Sequence, residues 1–264
     1  MKTNFRLLAV TLTLLSASLA GCLGGDDEDS GEYSGPIDLI VYYDSTSGMI
    51  ETSMNNGQQG PTTGVELSFD FADTTSDDGS ISKISIHPDD GSDPVEADPA
   101  DGAVISYTWM THGVFSVTLA AEDSEGNSHS IVVKVKVDMH IVWTDTNTAS
   151  ASMSFDATPD CEDGDPLPDR ITISSTVENP NQFLGGNSDV TWSLKNPSEE
   201  EIASNSGTLG NGASETWDYT TRDVVEGFWK IDVEVTNGDN VNVNNDVTIA
   251  YAEGAEDSTN PRPE

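Results

Sequence analysis

Alternation of apolar and polar residues is the feature that most constrains the fold of this chain. In Val65–Phe71, Ile131–Val137 and Trp229–Val235 an apolar residue stands at every second position. A period of two places those side chains on one face of an extended backbone, which is typical of half-buried β-strands. No stretch shows a convincing apolar period of 3.6 residues. We therefore predict an all-β fold.

Turn-forming pairs separate the predicted strands. Asp78-Gly79, Asp90-Gly91, Asp101-Gly102 and Gly126-Asn127 can adopt the positive φ that tight turns need. Further strands are predicted at Ile37–Tyr43, Ile81–Ile86, Val114–Ala121, Ile141–Thr144, Ala151–Phe155, Ile171–Val177, Val190–Leu194, Thr216–Tyr219 and Val241–Tyr251. Short strands joined by turns indicate β-sandwiches. We expect two in tandem, over residues 36–138 and 139–252.

The N-terminal segment has the layout of an export signal. Lys2 and Arg6 precede a short apolar run that ends at Leu19, Ala20, Gly21 and Cys22. Those four residues resemble the lipobox of prokaryotic lipoproteins, in which the Cys is lipidated and becomes the first mature residue. We predict a signal peptide at residues 1–21 and a lipid on Cys22 that anchors the protein to the outer face of the cell membrane. An uncleaved helix or an ordinary secreted protein is the alternative.

The charge of the chain excludes whole classes of partner. There are 47 acidic and 10 basic residues, for a formal net charge of −37. Nucleic acid requires clustered Lys and Arg, so it is excluded as a partner, and anionic lipid head groups are disfavoured. At physiological salt the Debye length is about 8 Å, so dissolved ions screen the self-repulsion. The composition resembles that of surface proteins from salt-adapted or marine archaea.

The flanks of the two predicted sandwiches have little to bury. We predict a flexible acidic tether at residues 22–35 and a disordered acidic tail at residues 253–264. The cysteines are Cys22 and Cys161. With Cys22 lipidated no disulfide is expected, and Cys161 is interpreted as an incidental free thiol.

A family resemblance covers the first sandwich. Val65-Glu66-Leu67-Ser68-Phe69-Asp70, and later His112-Gly113-Val114-Phe115-Ser116-Val117-Thr118-Leu119 with Asp123 and Gly126, resemble the two halves of a PKD domain. The resemblance spans about residues 36–138 and implies an immunoglobulin-like sandwich that serves as a spacer or binding unit. Residues 86–91 depart from the aromatic-rich hairpin of the family. A binding role for that hairpin is therefore not carried over.

A second resemblance covers the other sandwich. Leu209-Gly210-Asn211-Gly212-Ala213-Ser214, then Gly227-Phe228-Trp229, then Asn244-Asn245 resemble a CARDB-type module, a sandwich of prokaryotic surface proteins. Each element is short and fits other immunoglobulin-like domains as well. An immunoglobulin-like sandwich is the broader prediction.

No familiar catalytic motif occurs, and the four histidines are scattered. The chain is therefore predicted not to be an enzyme. The best chemical candidate is calcium, which takes several oxygen ligands. Asp70, Asp73, Asp77 and Asp78 crowd one loop, although ordinary turn chemistry explains them too.

Two further groups of residues are candidate sites. His87 with Asp89 and Asp90 could form a transition-metal corner, but a solvated loop is the simpler interpretation. Five tryptophans could stack on a glycan, although such residues more often fill a sandwich core. These are Trp109, Trp143, Trp192, Trp217 and Trp229. Trp217 and Tyr219 are the pair expected to be exposed.

The predicted function is interaction at the cell surface. We expect a lipid-anchored, non-catalytic module for adhesion, envelope scaffolding or the binding of a surface protein or glycan. One alternative is an accessory subunit of an extracytoplasmic hydrolase. Another is a solute-binding lipoprotein, although that class generally needs two α/β lobes around a cleft.

Overall fold

A computed structural model of the protein describes residues 33–161 and 166–263. These residues form seventeen β-strands and no α-helix. The strands are β1 Ile37–Asp38, β2 Ser47–Asn55, β3 Gln58–Thr63, β4 Val65–Asp70, β5 Thr75–Ser76, β6 Ile81–His87, β7 Val95–Ala97, β8 Val104–Trp109, β9 Gly113–Asp123, β10 Ser128–Thr148, β11 Ser150–Asp156, β12 Arg170–Glu178, β13 Ser188–Lys195, β14 Glu201–Leu209, β15 Ser214–Thr221, β16 Phe228–Asn237 and β17 Val241–Ala250. The predicted all-β, immunoglobulin-like sandwich fold is confirmed.

The predicted signal peptide, the lipobox with Cys22, and the tether up to residue 32 lie outside the described residues. Within the described ranges, no helix is long and apolar enough to cross a membrane.

The 21-residue strand β10 belongs to both sandwiches. Its residues 128–137 pair with β9, and residues 139–148 pair with β17, both antiparallel. Residues 136–144 also pair in parallel with β2. The main sheet therefore runs β15-β12-β17-β10-β9-β6-β7 through both sandwiches. The predicted boundary between residues 138 and 139 falls inside β10, and the chain from Gly35 onward is one compact unit.

In the first sandwich, β6, β9 and the first half of β10 face the pair β4–β8. Alternate side chains from both layers meet in one core, as the period-two pattern requires. Phe69, Trp109, Phe115 and Leu119 lie at its centre and are fully buried. Trp109 donates its indole N–H to the Pro88 carbonyl at 3.1 Å, so its polar atom is satisfied inside the core.

The second sandwich is more regular. The sheet β11-β16-β13-β14 packs on the sheet formed by β15, β12, β17 and the second half of β10. Trp192 and Trp229 are buried between the sheets. The Trp192 indole donates to Ser175 Oγ at 2.9 Å, and that hydroxyl donates to Asn245 Oδ1 at 2.6 Å. A short buried chain of hydrogen bonds therefore links β13, β12 and β17 inside the core.

The structure differs from the disordered tail predicted for residues 253–264. Residues 252–263, which we call the C-terminal strap, leave β17 and return to the first sandwich. The Asp257 amide donates to the Lys134 carbonyl at 3.0 Å. Asn260 and Tyr43 form an antiparallel bridge whose two hydrogen bonds measure 2.8 and 3.0 Å. Backbone pairing fixes this segment, and its acidic composition does not reveal that pairing.

Candidate functional site

A groove of about 520 Å³ opens where the two sandwiches meet. We call it the junction groove. Its lining comes from residues 52–59 of the β2–β3 hairpin, 110–112 between β8 and β9, 139–143 of β10, and 154–160 at the end of β11. Segments from both sandwiches therefore build it, and the shared strand runs through its middle.

The floor of the groove is apolar. Met139, Ile141 and Trp143 are alternate residues of β10 and so share one face. Met54 lies opposite Trp143 in the parallel ladder with β2. The Trp143 indole donates to Asp145 Oδ2 at 2.9 Å, which orients a half-buried ring toward the groove. Flexible thioethers beside an indole form a surface that adapts to apolar groups.

The tight β2–β3 hairpin supplies one wall. Its turn is Asn56-Gly57, with φ values of 47° and 74°. Two positive φ values in succession define the turn that matches the twist of paired strands, and Asn-Gly is the favoured sequence. The hairpin brings Met54 and Gln59 to the groove.

A buried histidine between β8 and β9, His112, links the two sandwiches beside the groove. His112 Nδ1 lies 2.8 Å from the Tyr251 hydroxyl, and Nε2 lies 3.2 Å from the Asp156 carbonyl. A carbonyl only accepts, so Nε2 carries the proton and Nδ1 accepts from Tyr251. The Tyr251 amide in turn donates to Asp138 Oδ1 at 2.8 Å. Burial lowers the pKa of His112, which keeps the ring neutral.

The rim of the groove is acidic, with Asp156 and Asp160 and no Lys or Arg among its lining residues. Asp156 Oδ1 already accepts from the Thr158 amide at 3.0 Å and the Thr158 hydroxyl at 2.7 Å. His112 is engaged at both nitrogens, so it has no free nitrogen for proton transfer. The apolar floor is suited to holding an apolar group by contact.

The predicted calcium residues are only partly brought together. Asp70 Oδ2 lies 3.0 Å from the Arg262 guanidinium, and Asp73 Oδ1 lies 3.6 Å from it. The strap therefore places its own cation where the prediction placed a metal. Asp77 and Asp78 lie further along the loop, where their amides bond to the Pro36 carbonyl and Ser76 Oγ. Among the described residues, no group of three or more His, Cys, Asp or Glu side chains could hold a metal ion.

The other candidates have structural roles. Asp89 is buried and accepts the Ser116 amide at 2.7 Å, and Asp90 accepts the Tyr107 hydroxyl at 2.6 Å. Cys161 is a partly buried free thiol that packs against the first core. Neither arrangement resembles a metal corner or a reactive site.

The tryptophans do not form a glycan platform. Trp109, Trp192 and Trp229 are buried, and Trp143 lies in the junction groove. Trp217 and Tyr219, expected to be exposed, stack at 5.8 Å and are partly buried against the second core.

A polar depression of about 620 Å³ lies on the outer face of β13, β14 and β16. Its lysine is paired, since Lys195 Nζ lies 3.3 Å from Asp232 Oδ2, and Glu201 and Glu234 make the rest of the lining acidic. It offers no free cation or aromatic surface comparable to the junction groove.

Sequence reasoning missed the groove, although one signal was available. Residues 52–65, 102–121 and 146–155 contain no Asp, Glu, Lys or Arg in a chain with 47 acids. The fold brings these three uncharged runs together, and each contributes to the groove lining. A search for gaps in the charge pattern would have pointed to these segments.

Comparison with known proteins identifies the first sandwich. A family model for the PKD domain matches residues 53–137, from the middle of β2 to the middle of β10. The resemblance to a PKD domain that the motifs of this region predicted is thus confirmed, and the match supports a non-catalytic binding module. No curated protein matches the chain.

Solved structures with some similarity are also β-rich. One is a carbohydrate-binding module from the β-sandwich superfamily, which is 14% identical, with 84% of this chain and 100% of that chain covered and a TM-score of 0.32. Another is the set of fibronectin(III)-like modules of Clostridium thermocellum CbhA, 15% identical, with 84% and 100% covered and a TM-score of 0.25. Scores this low do not assign a ligand.

Proposed function

We propose that the protein is a lipid-anchored binding module on the outer face of the cell membrane, where it acts in adhesion or envelope scaffolding. The observation that carries the binding role is the junction groove, an apolar surface built from uncharged runs in a strongly acidic chain. The lipobox-like residues Leu19–Cys22 support the anchor. The PKD domain is consistent with a non-catalytic role.

The groove favours an apolar group presented by a surface protein or glycan. Its methionines can adjust to an irregular shape, and Trp143 offers a ring face. Nucleic acid is disfavoured because Asp156 and Asp160 border the opening. Burial of one apolar side chain stabilises a complex by roughly 1.5–3 kcal/mol before the costs of association.

The anchor is tested by replacing Cys22 with Ser in the full chain. We expect the wild type to fractionate with membranes and to incorporate labelled fatty acid, and the variant to lose both properties. A variant that stays membrane-bound and labelled contradicts the lipidation proposal.

The groove is tested with Met110→Glu, since Met110 lines the groove and is 50% exposed. Met49→Glu is the matched control, because Met49 is 44% exposed and lies outside the lining. We expect saturable binding to purified cell envelopes to fall at least tenfold for Met110→Glu and to be unchanged for the control. Equal binding by both variants contradicts a binding role for the groove.

A further inference from the structure

The loop between β12 and β13 exposes two large apolar side chains. Phe183 is 101% exposed and Leu184 is 91% exposed, more than any other large apolar residue in the described chain. They occupy the central positions of a turn closed by the Gly185 amide and the Gln182 carbonyl at 3.2 Å. We call this pair the apolar tip. Burying such side chains is favourable, so an adjacent exposed pair favours docking against a partner.

The base of this loop is braced. Asn179 is fully buried and donates to the Gly186 and Leu209 carbonyls at 2.9 and 3.1 Å. Asn211 accepts the Gln182 amide and donates to its carbonyl, both at 2.8 Å. The loop therefore presents the tip with its ends fixed, which lowers the entropy lost on docking.

The apolar tip and Ile37 lie at opposite ends of β10. Ile37 contacts His129 at the start of β10, with Nδ1 3.1 Å from the Ile37 carbonyl. The tip follows Glu178, which pairs with Asn242 near the other end of β10. A strand of 21 residues at about 3.3 Å per residue spans roughly 65 Å. The tip is thus well away from Ile37, the first strand residue of the body.

The charge pattern favours a second copy of this chain as the partner. Residues 179–188 around the tip contain no charged residue, and neither do the three runs that build the junction groove, whose acidic groups are Asp156 and Asp160 at the rim. Two strongly acidic bodies repel one another, and the repulsion is weakest where uncharged surfaces face each other. The chain carries both an exposed apolar tip and an apolar groove of about 520 Å³.

We propose that the apolar tip of one copy docks in the junction groove of another. This inference rests on the groove being a binding site, as proposed above, and it names the partner. Such a contact joins two different patches, so it leads to a reciprocal pair or to a chain of copies.

Salt dependence separates this contact from one made by ion pairs. The Debye length falls from about 10 Å at 0.1 M salt to about 3 Å at 1 M. Added salt therefore screens the repulsion between bodies and strengthens an apolar contact. A contact made by ion pairs would weaken instead.

The experiment is sedimentation velocity on the purified body, residues 35–264, over a range of protein concentrations at 0.1 M and 2 M salt. We expect self-association that strengthens with salt. The double substitution F183S/L184S should weaken it by at least about thirtyfold, which is the loss of an interface hot spot. Met110→Glu should have a similar effect. Val132→Ser, at a residue 58% exposed on the first sandwich, and Met49→Glu should not.

Mixing provides the decisive comparison. The tip variant keeps an intact groove and the Met110→Glu variant keeps an intact tip, so the mixture should form complexes that neither forms alone. A wild type that stays monomeric in 2 M salt, or a mixture no larger than its components, overturns the inference. If envelopes still bind the wild type and not Met110→Glu, the groove function survives and only the self-docking fails. Circular dichroism of each variant confirms that the fold is retained.

Discussion

In the second sandwich each layer has four strands, and every buried core residue comes from Ile141 onward. In the first sandwich the layer opposite the main sheet consists of the short pairs β4–β8 and β1–β5. Its closure also uses the strap and Cys161, both from later in the chain. The comparison shows that the PKD domain depends on residues outside its own sequence limits, whereas the second sandwich is nearly self-sufficient.

The largest expected effect tests whether the shared strand makes the two sandwiches one cooperative unit. Trp109→Ala in the first core and Trp229→Ala in the second should each cost about 3–5 kcal/mol, the usual penalty for truncating a buried tryptophan. Because β10 runs through both, we expect calorimetry to show a single transition that both substitutions lower. Two transitions, each moved by only one substitution, would show independent unfolding.

Deleting residues 253–264 should affect the first sandwich more than the second. The deletion removes the pairing of Asn260 with Tyr43 and that of Asp257 with Lys134, at about 1 kcal/mol for each hydrogen bond. We expect a loss of about 2–4 kcal/mol in urea unfolding, with faster hydrogen exchange at residues 41–43. Deleting residues 263–264 alone is the control. Equal exchange increases in both sandwiches would contradict the one-sided dependence.

The strands of the two cores and the C-terminal strap differ in how well they can be predicted from the sequence. The strands of both cores could be predicted, because alternation such as Trp229–Val235 reports directly on a buried face. The β2–β3 hairpin was missed, since its flanks lack apolar alternation and only Asn56-Gly57 marks the turn. The strap was predicted wrongly because its order comes from partners some 120 to 220 positions away in sequence. Composition carries no information about such long-range pairing.

Asp123 in the first sandwich should contribute stability that is lost in acid. Asp123 accepts from Ser76 Oγ, Asn127 Nδ2 and the amides of Glu125 and Asn127, which lowers its pKa to about 2. A carboxylate whose folded pKa is depressed stabilises the fold above about pH 4 and loses that contribution as the pH falls through 2. Asp123→Asn should therefore lower the Tm by a few degrees at pH 7.

The diagnostic result is the shape of the pH profile. The Tm difference between wild type and Asp123→Asn should shrink between about pH 4 and pH 2. Asp218→Asn on the second sandwich serves as the matched control. A Tm difference that stays constant down to pH 2 would show that the carboxylate charge is irrelevant to the turn.

Mild acid should lower the stability of the fold through His112 at the junction of the two sandwiches. His112 has a lowered folded pKa, so protonation favours the unfolded state, and stability declines as the pH drops below about 6.5. His112→Gln should remove this part of the pH dependence, at a cost of about 1 kcal/mol at pH 7 for one lost hydrogen bond. His87→Gln is the control. Chemical unfolding at pH 7.5 and pH 5.5 gives the comparison, and an unchanged pH dependence in His112→Gln would refute it.

The smallest effect concerns the ion pair at the end of the strap. Arg262 binds Asp70 and Asp73 and lies 5.0 Å from the centre of the Tyr42 ring, but its side chain is 46% exposed. Exposed pairs contribute roughly 0–1 kcal/mol. Arg262→Gln should therefore lower stability by less than 1 kcal/mol in thermal unfolding, and by less still in high salt. A larger loss would mean that the ion pairs of Arg262 stabilise the strap more than its backbone hydrogen bonds do.

The bridge between Tyr43 and Asn260 also has a consequence for how the protein matures. A chain is synthesised from its N-terminus, and contacts distant in sequence form late because a long loop must close. The second sandwich uses strands that follow one another closely, so we expect it to fold as soon as β17 has emerged. The first sandwich, made earlier, must wait for residue 260 before the bridge to Tyr43 can form. Maturation then runs in the opposite direction to synthesis.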